Sequence, residues 1–304
     1  VEVYNVVSGY TTNQNLRFLR VNSFSTVTST PAFRPDVIID ALTPGAQPSS
    51  IATLEEVTIY GGNVDILSTI NHRSNASGGV QGDFSLVING SESVDIAADV
   101  GAGHHVVVNS NGPLTVSGNV QSDTDGVAGG GIYLMNDAAG APTTISGNLR
   151  VPAPWGSWIY VRTFGPLTIS GNLGNASGFV DIRNEGTGAG NFTDLSGNIV
   201  SGNGINIVND LSAAPNPLTI SGNLISGPSI AIANYGVAPG NTTTISGSVT
   251  STGGDVYVNH FGPPTGMLTV SGSLNAFYDV TVFSAGHAQL GGVGIFAGDD
   301  IFAT

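Results

Sequence analysis

Along most of the chain, apolar and polar residues alternate one for one in short runs, and the runs come in recognisable kinds. One has the form apolar-Thr-apolar-Ser-Gly, with its Ser at Ser117, Ser146, Ser170, Ser196, Ser221, Ser246 and Ser271. Tyr60 and Asn89 extend the same register upstream, and the octapeptide PLTISGNL occurs twice unchanged, at 166–173 and 217–224. Between these copies lies a second kind: IYLMN at 132–136, VDIRN at 180–184, INIVN at 205–209, IAIAN at 230–234, VYVN at 256–259 and VTVFS at 280–284. A third short segment follows each Ser-Gly-Asn, as in Leu224, Ile225 and Ser226. Alternation with period two marks a strand with one buried face, so each unit predicts three brief strands joined by corners.

The Ser positions recur at intervals of 29, 24, 26, 25, 25 and 25 residues. A unit of that size cannot bury its own inward side chains, so neighbours must stack, each strand pairing with its equivalents above and below. The predicted fold is all-β: a single-stranded right-handed parallel β-helix of about ten coils, about 25 residues per coil, with non-repeating ends. The handedness follows from the general preference of parallel connections, and at about 4.8 Å per coil the rod is roughly 45 to 50 Å long.

Within PLTISGNL, Leu167, Ile169 and Leu173 are expected to point inward, and Gly171 to turn the corner through a positive φ. Asn119, Asn148, Asn172, Asn198 and Asn223 fall at one equivalent corner, followed by Ser248 and Ser273. A second column closes the other strand: Asn136, Thr163, Asn184, Asn209, Asn234, Asn259 and Ser284. Stacked amides donate and accept along the axis, which predicts asparagine ladders.

The repeat divides the chain into residues 1–56, a cap or docking segment; 57–290, the solenoid; and 291–304, a cap or association tail. The first part holds Arg17, Phe18, Arg20, Phe24, Phe33 and Arg34 with an irregular TPGAQPSS at 43–50; the last holds Phe296 and Phe302 around an acidic pair. A solenoid's end coils expose unpaired edges that must be covered or used. Phe18, Arg20, Phe296 and Phe302 are therefore the association candidates.

Composition narrows the partners. The 304 residues contain 44 Gly, no Cys and no Lys; seven Arg face 21 acids, for a formal charge of −14. Such a field repels nucleic acid and anionic membranes, and no apolar run is long enough to span a bilayer. The Lys-free, Ser/Thr/Asn-rich surface points to an extracellular or cell-surface setting, with any export signal already removed.

The Asn and Ser columns at one coil per 25 residues resemble the right-handed parallel β-helix superfamily, which includes pectate-lyase-like enzymes, phage tailspikes, autotransporter passengers and filamentous-haemagglutinin-type proteins. The LTISGN repeats look most like those of bacterial surface, filament or adhesin proteins. That resemblance implies polysaccharide binding along one sheet for the enzymes and fibre formation for the surface proteins.

The enzymes' signatures are not found. Lys is absent, Asp299-Asp300 has no His beyond it, and neither Gly103-His104 nor Gly286-His287 is followed by Gly. Asp181, Arg183 and Glu185 alternate along one strand with Arg162 a coil earlier, a candidate carboxylate pair or an ordinary solvated face. SDTDG at 122–126 places Asp123 and Asp125 at a spacing seen in calcium loops but lacks the closing Glu; calcium at these two is the single cofactor candidate, and no other is expected. His104 and His105 are expected to point to opposite faces. Trp155, Trp158, Tyr160 and Phe164 concentrate aromatics in one coil, and Asn75, Asn89, Asn175, Asn191 and Asn241 head Asn-x-Ser/Thr sequons. No catalytic constellation emerges. The expected function is that of an extracellular structural subunit associating head-to-tail into a filament; a carbohydrate-active β-helix or a piece of a long adhesin is the alternative.

Overall fold

A computed structural model describes residues 19–22, 37–39, 57–67, 69–72, 85–122, 129–152, 156–210, 214–291 and 294–304. The described chain is all-β, a parallel β-solenoid of about nine turns of roughly 25 residues. Each full coil contributes one strand to each of three faces, and every strand pair is parallel.

The first face is built from strands of up to six residues, such as Trp158–Thr163, Phe179–Asn184 and Gly204–Asn209. The second uses shorter ones, such as Leu167–Ile169, Thr193–Leu195 and Leu218–Ile220. The third stacks ten strands, among them Leu173–Asn175, Ile199–Ser201 and Leu224–Ser226. In the early coils Val57–Ile66 and Leu86–Ile96 run through the corner and serve the first two faces together, with a register shift between Gly61 and Asn63. The pairing reaches beyond 57–290: Leu19–Asn22 pairs with Val57–Tyr60, Val37–Ile39 with Val64–Ile66, and Ile301–Ala303 with Val280–Val282.

Like stacks on like inside. Ile159, Val180, Ile205, Ile230 and Val256 make one row and Ile145, Ile169, Leu195, Ile220 and Ile245 another, each nearly or wholly buried. Leu167, Ile169 and Leu173 point inward as their alternation requires. In these rows aliphatic residues stack one coil apart with no side-chain polar atom to satisfy, and removing this surface from water is the main apolar driving force.

The expectation for Gly171 is corrected. Positive φ occurs at Gly129, Gly140, Gly156, Gly190, Gly204 and Gly240, and Gly171 is not among them. What demands glycine is close approach: a Cβ at Gly171 would lie 1.9 Å from the carbonyl oxygen of Gly147, one coil below. The same clash recurs at Gly197, Gly222, Gly247 and Gly272, so the Ser-Gly corners nest backbone on backbone.

Gly171→Ala is therefore expected to lower unfolding free energy by about 1 to 3 kcal/mol or more, as overpacking does. Gly174→Ala, where nothing lies within 4 Å of the added carbon, is expected to be nearly neutral. Urea unfolding of the two variants checks the contrast.

Candidate functional site

Each corner of the solenoid carries a polar column. On the outside, after Ser-Gly, Asn119 donates Nδ2 to Asp99 Oδ1 (2.9 Å), Asn148 to Asn119 (2.9 Å), Asn172 to Asn148 (3.0 Å), Asn198 to Asn172 (3.3 Å) and Asn223 to Asn198 (3.0 Å). Each Oδ1 also accepts a backbone N–H of the next coil, the last from Ser248. Ser273 then donates its hydroxyl to Ser248 (3.1 Å). Asp99 anchors the ladder; its carboxylate does what an amide oxygen does elsewhere, and the sequence repeat did not reveal it.

The second column lies inside, at the end of the first face: Ser110, Asn136, Thr163, Asn184, Asn209, Asn234, His260 and Ser284. Asn259 does not belong to it. That coil is one residue longer at this place, so Asn259 pairs with Ala233 and Phe283, and His260 takes the ladder position.

Beside this column the first inward position of the second face alternates coil by coil: Leu114, Thr143, Leu167, Thr193, Leu218, Thr243, Leu268. Each Thr hydroxyl receives the amide of its own coil and faces the polar residue of the next. Asn136 Nδ2 donates to Thr143 Oγ1 (3.1 Å), which donates to Thr163 (3.0 Å). Asn184 does so to Thr193 (3.0 Å), which donates to Asn209 Oδ1 (2.6 Å). Asn234 does so to Thr243 (3.0 Å), whose hydroxyl lies 3.0 Å from His260 Nδ1. The structural unit is therefore a pair of coils. Gly140, Gly190 and Gly240, with φ of 75°, 82° and 83°, turn the corner that leads to Thr143, Thr193 and Thr243 in the same three coils.

His260 is wholly buried, and its Nε2 has no hydrogen-bond partner. Burial holds its pKa below the usual imidazole value. A third buried column, Asn175, Ser201, Ser226 and Ser251, closes the third face. Asn175 accepts from Ser157 Oγ (2.7 Å) and Gly178 N (2.9 Å).

The charged cluster on the first face is paired. Arg183 Nη2 donates to Asp181 Oδ2 (3.0 Å), and Asn206 Nδ2 to Asp181 Oδ1 (2.9 Å). Arg162 Nε donates to Glu185 Oε2 (3.1 Å) while its guanidinium carbon sits 4.7 Å from the Phe164 ring centre. The Asp181 hydrogen bond raises the Arg183 pKa above its ordinary value. Both carboxylates are thus matched to cations, the arrangement of a stabilised outward face. Trp158 stacks on Phe179 at 4.8 Å, spending one ring face inside the protein, and Tyr160 stands in the next outward row.

His104 and His105 depart from expectation: their ring centres lie 3.8 Å apart, because His104 precedes the strand His105–Ser110 and is free of its alternation. Among the described residues no group of three or more His, Cys, Asp or Glu is placed to hold a metal. Asp123, Asp125, Trp155, Asn75 and Phe18 lie outside the described residues, and Arg20 is described in its backbone alone. Of the other sequons, Asn175, Asn191 and Asn241 are buried, and their amides are engaged internally, so they cannot carry a glycan in the fold.

The last coil ends in His287–Leu290, Ile295–Phe296 and Ile301–Ala303, one strand per face, each paired on one side alone among the described residues. Leu290, Ile295 and Ile301 continue the inward rows, yet Leu290 and Ile301 are 39% and 51% exposed. Phe296 and Phe302 stand in outward rows, 63% and 51% exposed. Asp279 Oδ1 accepts from Asp300 N (3.0 Å) as Asp255 Oδ1 accepts from Asp279 N (3.1 Å), which leaves the Asp300 carboxylate at the top of its column.

Asn184→Ala removes an amide that donates to Phe192 O and Thr193 Oγ1 and accepts from Gly186 N and Asn191 Nδ2. It is expected to cost on the order of 3 kcal/mol because buried partners are left unpaired, against about 1 kcal/mol or less for exposed Asn198→Ala. Chemical denaturation of both variants checks the ranking. Comparison of the chain with protein-family models, with curated proteins and with solved structures finds no match to any of them.

Proposed function

We propose that this chain is an extracellular or cell-surface structural subunit whose solenoids associate head-to-tail into a filament. The observation that carries this reading is the last described coil, whose inward rows are uncovered at Leu290 and Ile301 and whose three parallel edges have no outer partner among the described residues. A parallel stack grows by repeating one operation, so its upper edge is complementary in hydrogen bonding to the lower edge of any coil of the same shape. A second copy supplies such a coil, and Asp300 offers it the acceptor that Asp255 and Asp279 offer within the chain. This heterologous contact does not close and so propagates. The Lys-free, Ser/Thr/Asn-rich composition supports an exposed setting, and the internally paired Asp181 and Glu185 favour a structural role over carbohydrate chemistry.

Sedimentation velocity over a concentration series is expected to show a ladder of oligomers, and Ile301→Asp to abolish it without changing thermal stability. Wild-type protein that stays monomeric at every concentration sinks the proposal.

A further inference from the structure

Among the polar residues of the inner corner column, one is out of keeping with its row. Asn184, Asn209 and Asn234 each bring an amide that donates and accepts at once. His260 replaces them in the next coil. By analogy with the two Thr pairs below, the hydroxyl of Thr243 receives Asn234 Nδ2 and donates to His260 Nδ1. That puts the imidazole proton on Nε2, where no acceptor meets it.

Two glycines of its own corner close on this nitrogen. A carbon added at Gly262 would lie 2.5 Å from Nε2, and one added at Gly266 would lie 2.7 Å away. The elements packed round the ring bring Asn234 from below, Ser284 from above, Thr243 and Asn241 from the second face and its corner, and Gly262, Pro263 and Gly266 from its own corner. None of these titrates. His287, one coil above Met267, is exposed.

We infer that His260 is an acid-sensitive latch for the C-terminal coils: its protonation opens the stack between the coil of Thr243 and the coils that follow. Charging the ring turns Nδ1 into a donor, so the Thr243 hydroxyl must reverse and its proton loses its partner. The new charge has no counter-ion among the described residues, and a buried unpaired charge is among the most costly groups a fold can hold. Relief comes by separating the corner at 260–266 from the coil beneath it, which admits water to the ring.

The sign follows from burial. The folded state favours neutral His260, so the latch holds fully above the unfolded imidazole value of about 6.5 and weakens as pH falls below it. Burial alone lowers the pKa here, with no charged group contributing.

The strands that the latch retains, Met267–Val270 through Ile301–Ala303, include the open edge proposed for association. Resting on that reading, acid pH is expected to dissolve the filament from its joints.

Hydrogen exchange separates the two claims. Between about pH 7.5 and about pH 5, in the range where imidazoles titrate, amides after residue 256 are expected to exchange at least roughly tenfold faster after correction for intrinsic chemistry. Those of the strands from Gly131–Asn136 to Gly204–Asn209 are expected to stay protected. His260→Asn restores the row's own residue and should remove the acid response, as should His260→Gln. An acid response that persists in both variants, or that is missing in the wild type, overturns the latch. Sedimentation of the same samples reads assembly: no oligomer at any pH ends the filament reading and leaves the exchange result standing. Oligomers that dissociate at the same pH in wild type and His260→Asn overturn the coupling between latch and joint.

Discussion

Every feature of this molecule is governed by the spacing at which one coil lies on the next. Parallel strands pair at about 4.8 Å, and whatever stands at a given position must tolerate a copy of its row at that distance above and below. Aliphatic side chains tolerate it well, which is why inward rows such as those of Ile159 and Ile145 stack Ile, Leu and Val without interruption. Carboxylates of like sign do not, so Asp181 and Glu185 lie beside Arg183 and Arg162. Asparagine gains from it, since its amide donates to the coil on one side and accepts from the coil on the other. The exposed ladder from Asp99 to Ser248 is that property repeated.

The same constraint explains why the corners are built from two different solutions. At the Ser-Gly corner the backbones themselves nest, so the position must be glycine for want of space and not for want of an allowed φ. At the inner corner the chain turns over buried amides, and here side chains must replace the strand ladder as hydrogen-bond partners. Asn, Thr and Ser do so, but a single buried Asn has more capacity than its own coil can satisfy. The adjacent Thr of every second coil takes the surplus, which couples coils in twos. This is the physical reason that PLTISGNL returns unchanged after two coils and not after one: Leu167 and Leu218 occupy the same phase, with Thr193 in the other between them.

Much of this was legible in the chain. The period-two alternation located the strands of all three faces, and the Asn spacing located the exposed ladder, because both are properties of single positions repeated at a nearly constant interval. What escaped was relational. The Leu/Thr alternation hides inside a repeat that looks uniform at 25 residues, since Leu and Thr both fit an inward strand position. By residue type Asn259 fits the ladder place that register gives to His260, since one extra residue shifts a strand to its opposite face. Asp99 went unseen since a carboxylate differs from an amide in letters but not in the oxygen it presents.

That His260 occupies a row otherwise made of Asn, Thr and Ser is the more informative for the regularity around it. A column that accepts only neutral, doubly capable groups has been given one member whose charge depends on pH and whose second nitrogen finds nothing. The glycine two residues on recurs after Asn184 and Asn234 as Gly186 and Gly236, close to the amides of Asn191 and Asn241, whereas at Gly262 and Gly266 the nearest group is the imidazole itself. A fold whose coils are otherwise interchangeable thereby acquires a place at which one coil is distinguishable from the next. In a solenoid, where every contact is with a neighbour, such a place is the natural boundary between the coils that stay and the coils that can be released.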